Sequence, residues 1–111
     1  MARDVARADL VRQMNRHRIL ICPVASVPAF RHGERRWTFD GGEVDYLDAM
    51  TYTQWFNVLG NPAAVVPVGT SPEGLPIGVQ VVGRPFEEEL VLTVAAAIEG
   101  ECGGYRRPPL S

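Results

Sequence analysis

Lysine is absent from this sequence, and all eleven basic residues are arginine. The chain therefore cannot supply by itself any mechanism that needs a lysine amine. Serine is also scarce, since Ser26, Ser71 and Ser111 are the only serines and none lies in a Gly-x-Ser-x-Gly sequence. A nucleophile elbow of the kind found in α/β-hydrolases is therefore excluded.

Long apolar runs are missing as well. No stretch approaches the roughly 20 apolar residues that span a bilayer. The N-terminus carries Arg3, Asp4 and Arg7 and lacks the apolar core of a secretory signal. The net charge of -2 gives no electrostatic reason to expect nucleic acid or an anionic membrane as partner. We therefore expect a protein that binds neither.

Metal ligands and cofactor motifs are equally scarce. Cys22 and Cys102 lie far apart and form no Cys-x-x-Cys pair, so the sequence predicts neither a disulfide framework nor a zinc site. His17 and His32 have no His-x-x-x-His spacing, and the glycine patterns that bind phosphate are missing. We predict no metal and no cofactor, and a reducing cytoplasmic location is the default expectation.

The composition is that of an ordinary folded protein. With 111 residues, of which 46% are hydrophobic and 22% charged, the chain is typical of globular rather than disordered proteins. Its length allows one domain, and at this size folding buries roughly two thirds of the surface of the unfolded chain. The sequence therefore predicts a single domain over residues 1–111.

Hydrophobic spacing predicts alternating helices and strands. A wholly apolar run from Ile19 to Val24 predicts a strand that is buried on both faces and ends near Pro23. Asp45 is a candidate N-cap and Gly60 a candidate stop for a central helix. The predicted elements are helix 5–17, strand 19–24, irregular loop 25–44, helix 45–58, strand 63–68, a turn at 71–74, strand 77–83, helix 86–99 ended by Gly100, and tail 103–111.

These elements predict an α/β fold, a three-stranded fragment of a larger mixed sheet with flanking helices. The strands at 19–24 and 63–68 end alike, in Cys-Pro-Val and Val-Pro-Val, so we expect them to be neighbours. Three helices only partly cover such strands, and the sheet edges stay open, which soluble proteins normally avoid. The sequence thus predicts a partial domain that pairs through an open sheet edge with a missing portion or with another copy of itself.

The candidate binding residues are aromatic. Trp37 and Phe39 lie in the predicted loop and Trp55 in the central helix, and they are expected to wall a substrate pocket or to pack against missing structure. Ligands of open α/β sheets bind beyond the carboxyl ends of the strands. The sequence places residues 26–30 and 69–71 there. No residue is assigned a catalytic role.

Four polar or thiol side chains have structural interpretations that compete with functional ones. Cys22 is expected to be an inert core thiol, and its pairing with either histidine as a hydrolytic dyad is the less favoured alternative. The Ser71 hydroxyl is expected to stabilise its turn. Gln80 should join an interior hydrogen-bond network, and Asn57 should bond to loop backbone.

Residues 53–98 resemble the C-terminal segment of the amidase-signature hydrolases, which include bacterial amidases, fatty-acid amide hydrolases and the amidotransferase subunit that amidates misacylated tRNA. The family pattern is approximately T-x-x-x-N-x-x-G-x-P-A-x-x-x-P-x-G, followed by G-L-P-x-G-x-Q-x-x-G. The earlier ILICPVASVPAF resembles the family's preceding strand. The matching positions are Thr53, Asn57, Gly60, Pro62, Ala63, Pro67, Gly69, Gly74, Leu75, Pro76, Gly78, Gln80 and Gly83.

The resemblance implies a hydrolase of carbon–nitrogen (amide) bonds. Members use a serine nucleophile, a second serine in cis peptide linkage and a lysine base, with the nucleophile near a Gly/Ser-rich signature. This sequence contains neither that signature nor a lysine, so none of the three roles can be assigned to it. The resemblance therefore implies the C-terminal portion of an amidase, inactive by itself. A non-catalytic interaction module and a cysteine hydrolase that uses Cys22 are the alternatives.

Overall fold

The computed structural model describes residues 2–107, which form four helices and five strands. No helix within this range is long and apolar enough to cross a membrane. Of the predicted tail, residues 103–107 form neither helix nor strand, and the remainder, including Ser111, lies outside the described residues. The elements are α1 Ala2–Met14, β1 Ile19–Pro23, β2 Arg36–Phe39, β3 Gly42–Asp45, α2 Tyr46–Ala49, α3 Thr51–Leu59, β4 Ala63–Thr70, β5 Pro76–Gly83 and α4 Glu88–Cys102.

β5 is the central strand of a three-stranded sheet with the order β1-β5-β4. It pairs antiparallel with both neighbours, so that Ile21 and Ala64 lie opposite Val81 from either side. The predicted α/β fold with three strands and flanking helices is confirmed. The prediction that β1 and β4 are neighbours is wrong, because β5 lies between them. Their similar ends belong to two strands that run in the same direction on either side of β5.

The core lies between the sheet and α4. Val66 and Val81 of the sheet pack against Val91 and Ala95 of the helix. Gly83, at the end of β5, allows the close approach, because a Cβ atom there would lie 2.5 Å from Cγ2 of Val91. The close spacing between sheet and helix at this point therefore requires glycine, which has no side chain.

The loop after α3 is fixed by Asn61. Its Nδ2 donates a hydrogen bond of 2.9 Å to the carbonyl of Gly83 and lies 3.9 Å from the Sδ atom of Met14. Asn61 thereby joins the loop to the end of β5 and to α1. Asn57 is exposed, so the backbone contact predicted for Asn57 is made by Asn61 instead.

The central helix begins and ends as predicted but is interrupted. Asp45 accepts a hydrogen bond of 2.9 Å from the backbone N–H of Asp48, and Gly60 ends α3 with φ 76°. The prediction of one helix over 45–58 is wrong, because the helix breaks at Met50. The reason is that the carbonyl of Ala49 accepts a hydrogen bond from the N–H of Ser26, at 2.9 Å, rather than from the next helical turn.

The last helix is shifted from the predicted 86–99 to Glu88–Cys102. Phe86 has φ 69°, a left-handed conformation that cannot start a right-handed helix. Gly100 lies within the helix, and Gly103, with φ 88°, ends it.

The predicted irregular loop over 25–44 is wrong in its second half. Residues 36–39 pair with residues 42–45 as an antiparallel hairpin. The signal was Asp40-Gly41, a dipeptide typical of tight hairpin turns, and Gly41 has a positive φ of 75°. Residues 25–35 are irregular, as predicted.

The three-stranded sheet is only partly covered by the rest of the chain. β1 was predicted to be buried on both faces, but Leu20 is 38% and Ile21 53% exposed. Both outer strands have one edge without a strand partner among residues 2–107. The chain exposes 8351 Å², whereas a compact monomer of 12.2 kDa exposes about 6,100 Å². The surplus of about 2,300 Å² shows that the chain is less compact than a typical monomer of its mass.

A charged cluster joins the end of α1 to the start of α4. Arg84 donates two hydrogen bonds to the carboxylate of Glu87, at 3.0 and 2.6 Å, and Arg18 donates a third at 3.0 Å. A further bond of 3.1 Å runs from Arg84 to Asn15. The bonds from Arg84 and Arg18 lower the pKa of Glu87 from 4.5 to about 2. Glu87 therefore stays ionised in the folded chain at pH values where it is protonated in the unfolded chain.

The contribution of this charged cluster to stability should depend on pH. A carboxylate whose pKa is depressed on folding contributes stability above its unfolded pKa, and that contribution is lost as the pH falls from about 4.5 towards 2. We expect Glu87→Gln to lower the urea midpoint at pH 7, and the difference from the unsubstituted chain to shrink over that acidic range. The exposed Glu89 offers a matched control, since Glu89→Gln removes the same charge outside the cluster. A difference at pH 7 that persists unchanged at pH 2.5 would contradict the role given to Glu87.

Candidate functional site

A cavity of about 730 Å³ lies where the chain leaves β1. β1 pairs only with the second half of β5, from Val79 to Gly83, so the first residues of β5 line an open space beside the departing segment. Among the described residues, none that lines the cavity is charged. The walls include Val27, Pro28 and Phe30 after β1, Pro76 and Ile77 of β5, and Tyr105. Such a cavity suits an apolar group.

Gln80 holds the end of β1 in place beside this cavity. Its side chain is 3% exposed, and its Nε2 donates hydrogen bonds of 3.0 Å to the carbonyls of Pro23 and Tyr52. One side chain therefore joins β1, β5 and α3. The predicted interior network of Gln80 is confirmed.

Trp37 stands behind one wall of the cavity. Its ring packs edge-on against Phe30, with 4.9 Å between centroids, and the ring of Tyr46 lies 6.3 Å from Phe30 on another side. The guanidinium of Arg35 covers Tyr46 at 4.8 Å. Phe39 lies two residues further along β2 and is 47% exposed. Trp37 thus supports the lining residue Phe30, while a substrate-binding role for Trp37 and Phe39 stays a prediction.

Trp55 lies at a different place. It lines a smaller cavity of about 330 Å³ between α1, β1 and α3, together with Leu10, Leu20 and Leu59. Its side chain is 55% exposed. The three aromatic candidates therefore do not form one pocket, and a substrate-binding role for Trp55 also stays a prediction.

Cys22 lacks the surroundings of an activated nucleophile. Burial raises the pKa of its thiol, and a hydrogen bond with Gln80 only partly opposes this effect. A raised pKa lowers the thiolate fraction at neutral pH, and the thiolate is the reactive form. His17 and His32 are both exposed. These observations agree with the expected inert thiol.

The Ser71 hydroxyl is committed to its turn. Its oxygen accepts a hydrogen bond of 3.2 Å from the N–H of Leu75, and its backbone N–H donates one of 2.8 Å to the Leu75 carbonyl. A bond from Ser71 to the Glu73 carboxylate lowers the pKa of Glu73. The predicted turn-stabilising role of Ser71 is confirmed.

Part of the cavity wall could be anticipated from the sequence. The rule that ligands bind beyond strand ends pointed to residues 26–30, and residues 27–30 line the cavity, whereas 69–71 do not. Met50 and Tyr105 also line it and were missed. Met50 is the residue at which the central helix breaks, and Tyr105 belongs to the predicted tail. No three His, Cys, Asp or Glu side chains within residues 2–107 are grouped to hold a metal ion.

Comparison with known proteins identifies relatives of this fold. A solved amidase structure superposes with a TM-score of 0.82 at 30% identity, over 91% of this chain and 23% of the amidase. A glutamyl-tRNA(Gln) amidotransferase subunit from Granulibacter bethesdensis is 39% identical over 99% of this chain and 20% of that protein. A fatty acid amide hydrolase of Medicago truncatula is 56% identical over 55 residues, which are 50% of this chain and 9% of that enzyme.

The α/β fragment thus has the architecture of part of an amidase. The sequence profile of the Amidase family matches residues 1–92. The chain belongs to the amidase family. It spans about one fifth of the length of the amidotransferase subunits that it matches, and the resemblance stated from residues 53–98 is confirmed.

Proposed function

We propose that these residues form the C-terminal portion of an amidase-type hydrolase of carbon–nitrogen bonds and carry none of its catalytic groups. The observation that carries the proposal is the uncovered sheet: the fold matches an amidase over 91% of the chain, yet about 2,300 Å² more surface is exposed than a compact monomer shows. The partner is therefore the remaining portion of the amidase fold.

The chain is inactive by itself for reasons of chemistry. It has no lysine to act as base. Ser71 is held by its turn, and burial raises the pKa of the Cys22 thiol, which disfavours the reactive thiolate. Both cysteines are free, which supports a reducing compartment such as the cytoplasm.

The cavity gives the chain a part in binding rather than in bond cleavage. Its uncharged lining fits the apolar portion of an amide substrate, and Gln80 and Trp37 hold two of its walls through Pro23 and Phe30. In this proposal the reacting carbonyl is presented to nucleophile and base supplied by the other portion.

Activity of a chimera tests the proposal. In the amidase of known structure, the matching segment is replaced by these 111 residues, and ammonia release is measured with that amidase's own amide substrate. We expect no turnover from the isolated chain or from the amidase without its segment, and turnover from the chimera. Turnover by the isolated chain that Cys22→Ala abolishes would establish a cysteine hydrolase instead. A folded chimera without activity would favour the non-catalytic interaction module.

A further inference from the structure

Phe86 occupies a turn position where a large side chain is unfavourable. Arg84-Pro85-Phe86-Glu87 forms a turn closed by a hydrogen bond of 3.1 Å from the N–H of Glu87 to the carbonyl of Arg84. Proline at the second position and a positive φ at the third are typical of a type II turn, in which the third residue is usually glycine or asparagine. Phe86 has φ 69° and is the one non-glycine residue with a positive φ between residues 2 and 107.

The same residue is almost wholly exposed. Its side chain is 88% accessible, the highest value among the large hydrophobic residues of the described chain. Backbone strain of this kind persists only where the surrounding structure imposes it, and it is often associated with function. In the isolated chain the ring gains no buried contacts that could offset the strain.

Both sides of the turn are held rigidly. Before it, the N–H of Gly83 donates to the carbonyl of Pro62 at 3.0 Å, and Asn61 binds the Gly83 carbonyl. After it, Glu87 accepts three hydrogen bonds from Arg84 and Arg18. The ring is therefore displayed by a fixed backbone and does not project from a frayed end.

Resting on the proposed function, we propose that Phe86 is an anchor that inserts into an apolar pocket of the amidase portion outside these 111 residues. The surplus surface of about 2,300 Å² is nearly three times the roughly 800 Å² that each partner buries in a standard complex. The matching segment is only 23% of the superposed amidase, so most of that fold remains to cover it. Buried aromatic side chains commonly dominate such contacts.

Phe86→Gly tests the anchor, because it should change the thermal midpoint in opposite directions in the isolated chain and in the chimera. In the isolated chain, glycine adopts the positive φ without strain, so the thermal midpoint should stay equal or rise by a few degrees. In the chimera, loss of a buried ring should lower the midpoint by on the order of 3 °C. Phe86→Leu is the matched control, because it keeps an apolar side chain on the same backbone and should lower the chimera's midpoint by less than half as much.

Several results would overturn the anchor. These are an unchanged or raised midpoint for the Phe86→Gly chimera, or a lowered midpoint for the Phe86→Gly isolated chain. Dissociation of an oligomer of the isolated chain by the same substitution, seen by sedimentation, would assign Phe86 to self-association instead.

If the chimera does not fold, a second measurement tests the anchor without it. The tagged chain is co-expressed with the amidase that lacks its matching segment, and the amount of co-purified amidase is measured. Phe86→Gly should reduce that amount several-fold. The anchor is overturned if the amount does not fall, or if the unsubstituted chain co-purifies no amidase. The two proposals fail separately. An active chimera whose thermal midpoint is unchanged by Phe86→Gly refutes only the anchor. A folded but inactive chimera refutes the proposed function.

Discussion

Replacing Gln80 with leucine should lower the free energy of unfolding by about 2 kcal/mol, because the carbonyls of Pro23 and Tyr52 both lose the hydrogen bond that they accept from its amide. Leucine fills a similar volume, so the loss reports hydrogen bonding rather than a cavity. Urea denaturation of the purified chain, followed by tryptophan fluorescence, measures it. The effect should also release the end of β1, since Gln80 is the side chain that binds there.

Gln54→Leu provides the matched control. Gln54 is exposed on α3, and the same chemical change there should shift stability by less than about 0.5 kcal/mol. If both substitutions have equally small effects, the network around Gln80 does not stabilise the fold.

Substitution of Gly83 with alanine should destabilise the chain by about 1–3 kcal/mol. The added Cβ would lie 2.5 Å from Cγ2 of Val91 and 3.5 Å from the carbonyl oxygen of Glu87, so sheet and helix would have to move apart. Thermal unfolding of the purified variant measures the loss. The double variant Gly83→Ala/Val91→Ala removes the clashing methyl and should lose less than the two single losses combined.

Gly100→Ala should stabilise the chain, in contrast to Gly83→Ala. Gly100 lies inside α4 with ordinary φ, and no atom lies within 4 Å of the Cβ position. Alanine is favoured over glycine in a helix interior by about 0.5–1 kcal/mol. Equal effects at the two glycines would contradict the close packing of β5 on α4.

Features decided by local chemistry were predictable from the sequence. Asp45 caps a helix and Gly60 ends one because each acts on the backbone of its own turn. Pro23 ends β1 because it cannot donate to a ladder. The polarity of Gln80 within an apolar strand required partners, although the sequence could not say which carbonyls they would be.

Features decided by distant contacts were not predictable. The break at Met50 depends on a hydrogen bond between Ser26 and Ala49, two segments more than twenty residues apart. The order of strands depends on β5 taking the place between β1 and β4. The cavity combines residues from β1, β4, β5 and the tail, which are distant in sequence. The sequence could therefore not show that Trp37 packs behind this cavity or that Trp55 lines another one.

The central position of β5 has a consequence for synthesis on the ribosome. Ile19 of β1 pairs with Gly83, which is translated about sixty residues later. At 5–20 residues per second, β1 waits about 3 to 13 seconds for its partner strand. During that delay an apolar strand with unpaired backbone groups is available to chaperones and to other nascent chains. β4 and β5 are separated only by a short turn and do not have this delay, so the first of these three strands to be translated is the last to find its partner.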